Sequence, residues 1–216
     1  MSAVQGAAGR ISTWSRRRKL ELFLRELRPA PETTVVDVGV TDTGGEDPYR
    51  THNFFEALYP WPEQITAVST QYLDRFSEAF PHVTAVRADG RHLPFADAAF
   101  DLGFSNAVLE HVGGRSDQRA FVHELCRVSG RVFLATPNRW FPIDSHTLVP
   151  FAHWLPRKPR EQVYRSLGRK AGLDVELLSP RELLELFPTG TNPRLVRRGM
   201  NLIVISGGSE SSATNA

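Results

Sequence analysis

The side chains best suited to chemistry in this 216-residue chain fall in short clusters, each at the end of an apolar run. The run Val-Val-Asp-Val-Gly-Val carries Asp37 and Gly39 into a polar loop that holds Thr41, Asp42, Gly44 and Gly45. Later runs end in Ser69 and Thr70, in Asp89 and Gly90, in Ser105 and Asn106, and in Thr136, Pro137 and Asn138. Glu110 and His111 follow the fourth run, and an imidazole of near-neutral pKa such as His111 can take a proton from a hydroxyl. His146 is the second candidate for that task. Glu110, His111, Asp144, His146 and His153 lie within one third of the chain. None shows a recognised ligand spacing, so no metal is expected.

The runs themselves say how these residues are placed. Stretches 33–40, 65–70, 84–88, 100–108 and 131–137 are short and β-branched, the pattern of strands buried on both faces of a parallel sheet. Helical segments near 52–59, 71–80 and 117–128 alternate with them, which implies a doubly wound α/β sheet. In such a sheet a ligand sits beyond the carboxyl ends of the strands, so the strand-end residues above are the candidate site. Leu20, Phe23, Leu24 and Leu27 form one apolar stripe on a helix that ends before Pro29. Ser179-Pro180-Arg181-Glu182 is a capping box that starts a late helix. The adjoining runs 193–200 and 201–206 then predict a closing antiparallel pair. Residues 139–172 interrupt the alternation as a lid or insertion. Residues 1–12 and 207–216 look like mobile tails around one domain over 13–206.

Composition bounds the function. Hydrophobic residues at 41% and charged residues at 23% describe an ordinary globular chain, and a net charge of +2 is too small a field to argue for nucleic acid. Cys126, the single cysteine, can form no intrachain disulfide. With no signal-peptide core and no membrane span, a cytoplasmic protein is expected.

Three segments, VVDVGV, RADGRHLPFADAAFDLGFSNAVLEHV and LATPNRWFPIDSHT, resemble the small-molecule methyltransferases of the class I, S-adenosylmethionine-dependent superfamily. The resemblance covers roughly residues 33–148 and is most specific from Asp89 to Val112. It implies a Rossmann-like, mostly parallel seven-stranded sheet with an antiparallel last strand, S-adenosylmethionine as cofactor and a small-molecule acceptor. It also implies that Asp37 holds the cofactor's ammonium, with Ser105 or Asn106 offering a carbonyl to the same group, and that Asp89, beside Gly90, accepts from the adenine amino group. Gly39 and Gly44 would let backbone approach the ribose and methionine portions. Two features depart from the family pattern: Val40 to Thr43 separate Gly39 from Gly44, and Ser69 stands where an acid usually grips the ribose. Trp140, Phe141, Phe151, Trp154 and Tyr164, interleaved with Arg139, Arg157, Lys158 and Arg160, suit a lipophilic, aromatic or acidic acceptor. Methyl transfer to a hydroxyl is the expected activity. The alternatives are a non-catalytic relative with weakened cofactor binding and an RNA methyltransferase.

Overall fold

The computed structural model describes residues 3–43, 52–144, 146–169 and 173–207, with side chains from residue 14 onward. A seven-stranded sheet forms the centre: β1 (Val35–Val38), β2 (Ile65–Ser69), β3 (Thr84–Arg87), β4 (Phe100–Asn106), β5 (Ser129–Pro137), β6 (Arg194–Arg198) and β7 (Asn201–Gly207). Their order is β3-β2-β1-β4-β5-β7-β6. The first five pair in parallel, and β7 runs antiparallel to both β5 and β6. The sheet is therefore mostly parallel with an antiparallel end, and chain order reverses on either side of β1. The crevice beyond β1 and β4 is the point where such sheets take ligands.

Helices α1 (Ala3–Leu27), α2 (Phe54–Leu58) and α3 (Asp74–Ala79) lie on one side, and α4 (Arg115–Val128) and α6 (Pro180–Leu184) on the other. On the first side Leu20, Phe23 and Leu27 bury against the sheet. The Phe23 ring meets Phe55, Phe104 and Phe133 edge-on, with centroids 5.0, 5.6 and 5.6 Å away. Each such aromatic buries enough surface to contribute roughly 1.5 to 3 kcal/mol. On the second side Phe121, Val122 and Leu125 of α4 pack on Val36 and Val132. α1 stops where Arg28 turns to φ +47° ahead of Pro29. At its other end the helix begins at Ala3, inside the stretch read as a tail. Gly44 and the tail after Gly207 lie outside the described residues. The segment after β5 holds a short 3-10 turn, Ala152–Trp154, and α5 (Arg157–Ser166). No helix among the described residues is long and apolar enough to cross a membrane.

Candidate active site

Parallel pairing carries the ends of β1, β2 and β4 to one rim. Gly39, directly after β1, has φ +114°, and a Cβ there would lie 2.1 Å from a Val108 methyl carbon. The loop beyond β4 packs against it, so only glycine fits. Its requirement is met by this packing whether or not a ligand approaches it. Gly90 is confined in the same way by the Phe121 ring. Asn53 ties down the loop after β1: its Oδ1 accepts from the Thr41 N–H at 3.0 Å, and its Nδ2 donates to the Thr41 and Thr43 carbonyls at 2.8 Å each. From the β2 end, Gln71 donates its N–H to Ser69 Oγ and accepts from the Asp42 N–H. Ser105 donates its hydroxyl to the Val38 carbonyl at 2.9 Å, locking β4 to β1. The Ser69 and Ser105 hydroxyls thus serve loop and strand backbone.

Two buried charged groups face this rim, and each brings in a residue that the sequence did not single out, Glu56 in the first and Lys19 in the second. Asp37 is 5% and Glu56, from α2, 3% exposed, and both line one narrow cavity with Gly39, Asn53, Phe104 and Asn106. Burial, and then the charge of Glu56, raise the Asp37 pKa well above the ordinary carboxylate range. Burial likewise raises Glu56, whose two carboxylate oxygens meet no donor. A proton shared between the two carboxyl groups supplies the missing donor and avoids two adjacent buried charges. Lys19 of α1 is the second group. Its Nζ donates to Asn106 Oδ1 and lies 5.9 Å from the Phe54 ring centroid. Burial and the charge of Arg16 lower its pKa to about 8, against a smaller raising effect of Glu110. A lone Lys on the α1 apolar stripe and a lone Glu within Phe-Phe-Glu-Ala-Leu are the sequence signals that would have flagged them.

Asp89, beyond β3, is engaged on both oxygens by Arg91, with contacts of 2.6 to 3.1 Å, and Arg91 also reaches Asp117 at 2.9 Å. This pairing lowers the Asp89 pKa. An adenine amino group would share the carboxylate with Arg91.

Further along the rim the chain after β5 folds back over the chain after β4. The fully buried Glu110 accepts from Thr136 Oγ1 on Oε2 at 2.9 Å, whereas its Oε1 has no hydrogen-bond donor. Burial raises its pKa. Asp144 accepts from the His146 N–H and Nδ1 and from the Thr147 N–H and hydroxyl, all within 3.2 Å. Its pKa falls to about 2, because these bonds and the His146 charge outweigh burial. A carboxylate only accepts, so His146 carries its proton on Nδ1 and turns Nε2 toward the site. That Nε2 stands 3.1 Å from His111 Nε2 and 3.8 Å from Glu110 Oε1. Both candidate histidines therefore meet in one cluster with Glu110. His153 stays apart, its Nε2 against the Arg139 carbonyl. A cavity of about 550 Å³ lies on the opposite rim, lined by Leu27, Phe100 and Arg131 and open to solvent, away from all of these groups.

Comparison with known proteins bears on the fold. Residues 51–132 match the model of a methyltransferase domain family. The fold is thus one found in solved S-adenosylmethionine-dependent methyltransferases, including two crystallised with S-adenosyl-L-homocysteine. Among solved structures, YcgJ from Bacillus subtilis is 18% identical with a TM-score of 0.57, over 84% of this chain and 71% of that one. The N-methyltransferase NodS from Bradyrhizobium japonicum, solved with S-adenosyl-L-homocysteine, is 12% identical with a TM-score of 0.58, over 90% and 87%. Geranyl diphosphate C-methyltransferase from Streptomyces coelicolor, also solved with S-adenosyl-L-homocysteine, is 15% identical with a TM-score of 0.58, over 89% and 80%. No curated protein matches the chain.

Proposed function

We propose that this protein transfers a methyl group from S-adenosylmethionine to a hydroxyl of a small acceptor at the carboxyl rim of the sheet. The observation that carries the reading is a pair of opposite, buried charges that complement a methionyl group. The Asp37 and Glu56 carboxyl pair suits its ammonium, and the Lys19 ammonium, released from Asn106, suits its carboxylate. Ser105 and Asn106 offer backbone between them, and Asp89 the adenine contact. S-adenosylmethionine supplies an electrophilic methyl on a sulfonium, so the protein's task is to align the acceptor and exclude water. His111 and His146, whose Nε2 atoms stand 3.1 Å apart, assist removal of the hydroxyl proton. The half-exposed aromatics Trp140, Phe151 and Trp154 and the basic residues around them form a border suited to a lipophilic or acidic acceptor.

Calorimetric titration with S-adenosylmethionine tests the reading. Saturable binding is expected, weakened about 10- to 150-fold in Asp37→Asn, the range for losing a hydrogen bond to a charged group. Absence of binding by the parent chain would leave the fold without this activity.

A further inference from the structure

The spacing of Glu110, His111 and His146 matches no metal motif, yet the fold brings their donor atoms within 4.8 Å of one another. Two ligand atoms bonded to one ion at about 2.1 Å lie about 3.0 to 3.4 Å apart for bond angles between octahedral and tetrahedral. The His111 and His146 Nε2 atoms, 3.1 Å apart, already have that separation. Glu110 Oε1 lies 3.8 Å from His146 Nε2, and the three ligand atoms must draw in from within 4.8 Å of one another to share one ion.

Three further features belong to a built site. Glu110 Oε1 is fully buried with no donor, a costly state in the absence of a cation. Its other oxygen is held by Thr136, and His146 is held through Nδ1 by Asp144, the carboxylate-to-imidazole support that fixes metal-binding histidines. Finally, burial runs from Glu110 inside, through His146, to the exposed His111, which leaves one side of the cluster open to an incoming ligand.

We propose that Glu110, His111 and His146 hold one divalent ion of the zinc, cobalt or manganese type, and that an acceptor hydroxyl becomes its further ligand. Two imidazoles and one carboxylate with open positions suit such ions better than magnesium or calcium, which favour all-oxygen sites. The histidines then assist as ligands. The ion draws electron density from the hydroxyl oxygen, the O–H bond breaks with its electron pair left on oxygen, and the proton passes to solvent. This step rests on the hydroxyl-methylation reading, whereas ion binding does not.

The test uses cobalt(II) alone, added to the full chain and followed by its visible absorption and by calorimetry. One equivalent should bind, with absorption typical of nitrogen and oxygen ligands. Binding should disappear in His111→Ala, an exposed position that leaves the core intact, and weaken about 10- to 100-fold in Asp144→Asn. It should be unchanged in His123→Ala, on the exposed face of α4. No saturable cobalt binding, or equal binding by His111→Ala, overturns the site. Retained S-adenosylmethionine binding in that case would show that the methyltransferase reading stands without it. Cobalt binding without S-adenosylmethionine binding would uphold the site and sink the other reading.

Discussion

Replacing Lys19 by methionine should make the protein more stable and a poorer cofactor binder. The ammonium of Lys19 has a pKa of about 8 in the folded chain against 10.5 when free, chiefly because it is buried. The unfolded chain therefore binds the proton more tightly, and below about pH 8 this difference opposes folding by about 3 kcal/mol. The penalty fades as pH rises from about 8 to 10.5, where both states become neutral. Methionine has a similar length and no charge, but Asn106 loses its donor, at a cost of about 1 kcal/mol. The net gain at pH 7 is about 2 kcal/mol, or about 4 to 8 °C in Tm for a chain of this size. Near pH 10 the remaining penalty, about 1 kcal/mol, only balances the lost bond. Urea and thermal unfolding of parent and variant at both pH values measure this directly. A variant no more stable than the parent at pH 7, or one whose advantage persists at pH 10, refutes the account of Lys19 as a buried cation retained for a ligand. Calorimetry on the same variant should show S-adenosylmethionine bound about tenfold or more weakly, the loss for one charge-assisted bond.

Two other outcomes are expected. Gly39→Ala should cost about 2 to 5 kcal/mol in urea unfolding, since the new methyl meets both a positive φ and the Val108 side chain. The double variant with Val108→Ala should recover only the packing share, and full recovery would show that the backbone angle costs nothing. S-adenosylmethionine binding should release up to one proton, because its ammonium stabilises the ionised form of the Asp37 and Glu56 pair. Affinity should accordingly rise with pH while the pair still holds that proton. Binding enthalpies that do not vary with the ionisation enthalpy of the buffer would contradict the shared proton.

What could be read from the residues follows from the range of the forces involved. The apolar runs that became β1, β2, β4 and β5 announce themselves locally, since burial on both faces leaves no alternation to disguise them, whereas β3, read in the same way, is an edge strand with no fully buried residue. The Ser179 and Glu182 capping box is equally local and forms as its spacing requires. Lys19 was harder, because it stands four residues before Phe23 on the face that packs the core, where a charge is rare. Gly39 shows a different difficulty: its need for glycine was legible, but its partner, Val108, lies on another strand's loop. His146 reaches Glu110 only because the loop after β5 folds back over the loop after β4. No periodicity in the chain between His111 and His146, 35 positions apart, encodes that return.

The place of β7 has a bearing on how the chain comes into being. The sheet order puts the last strand in the sequence between β5 and β6, where Leu202, Ile203 and Val204 are completely buried. During synthesis β5 therefore emerges as an open edge, carrying Val132, Phe133 and Leu134 with nothing paired beyond them. β6 has no partner other than β7, so it cannot dock early and shield that edge. The nascent chain consequently presents a sticky apolar strand for more than sixty residues of elongation, from the end of β5 to the completion of β7. A ribosome stalled anywhere in that window would hold a protein with most of its strand-end rim assembled and one unfinished edge, the form most prone to aggregate or to recruit a chaperone.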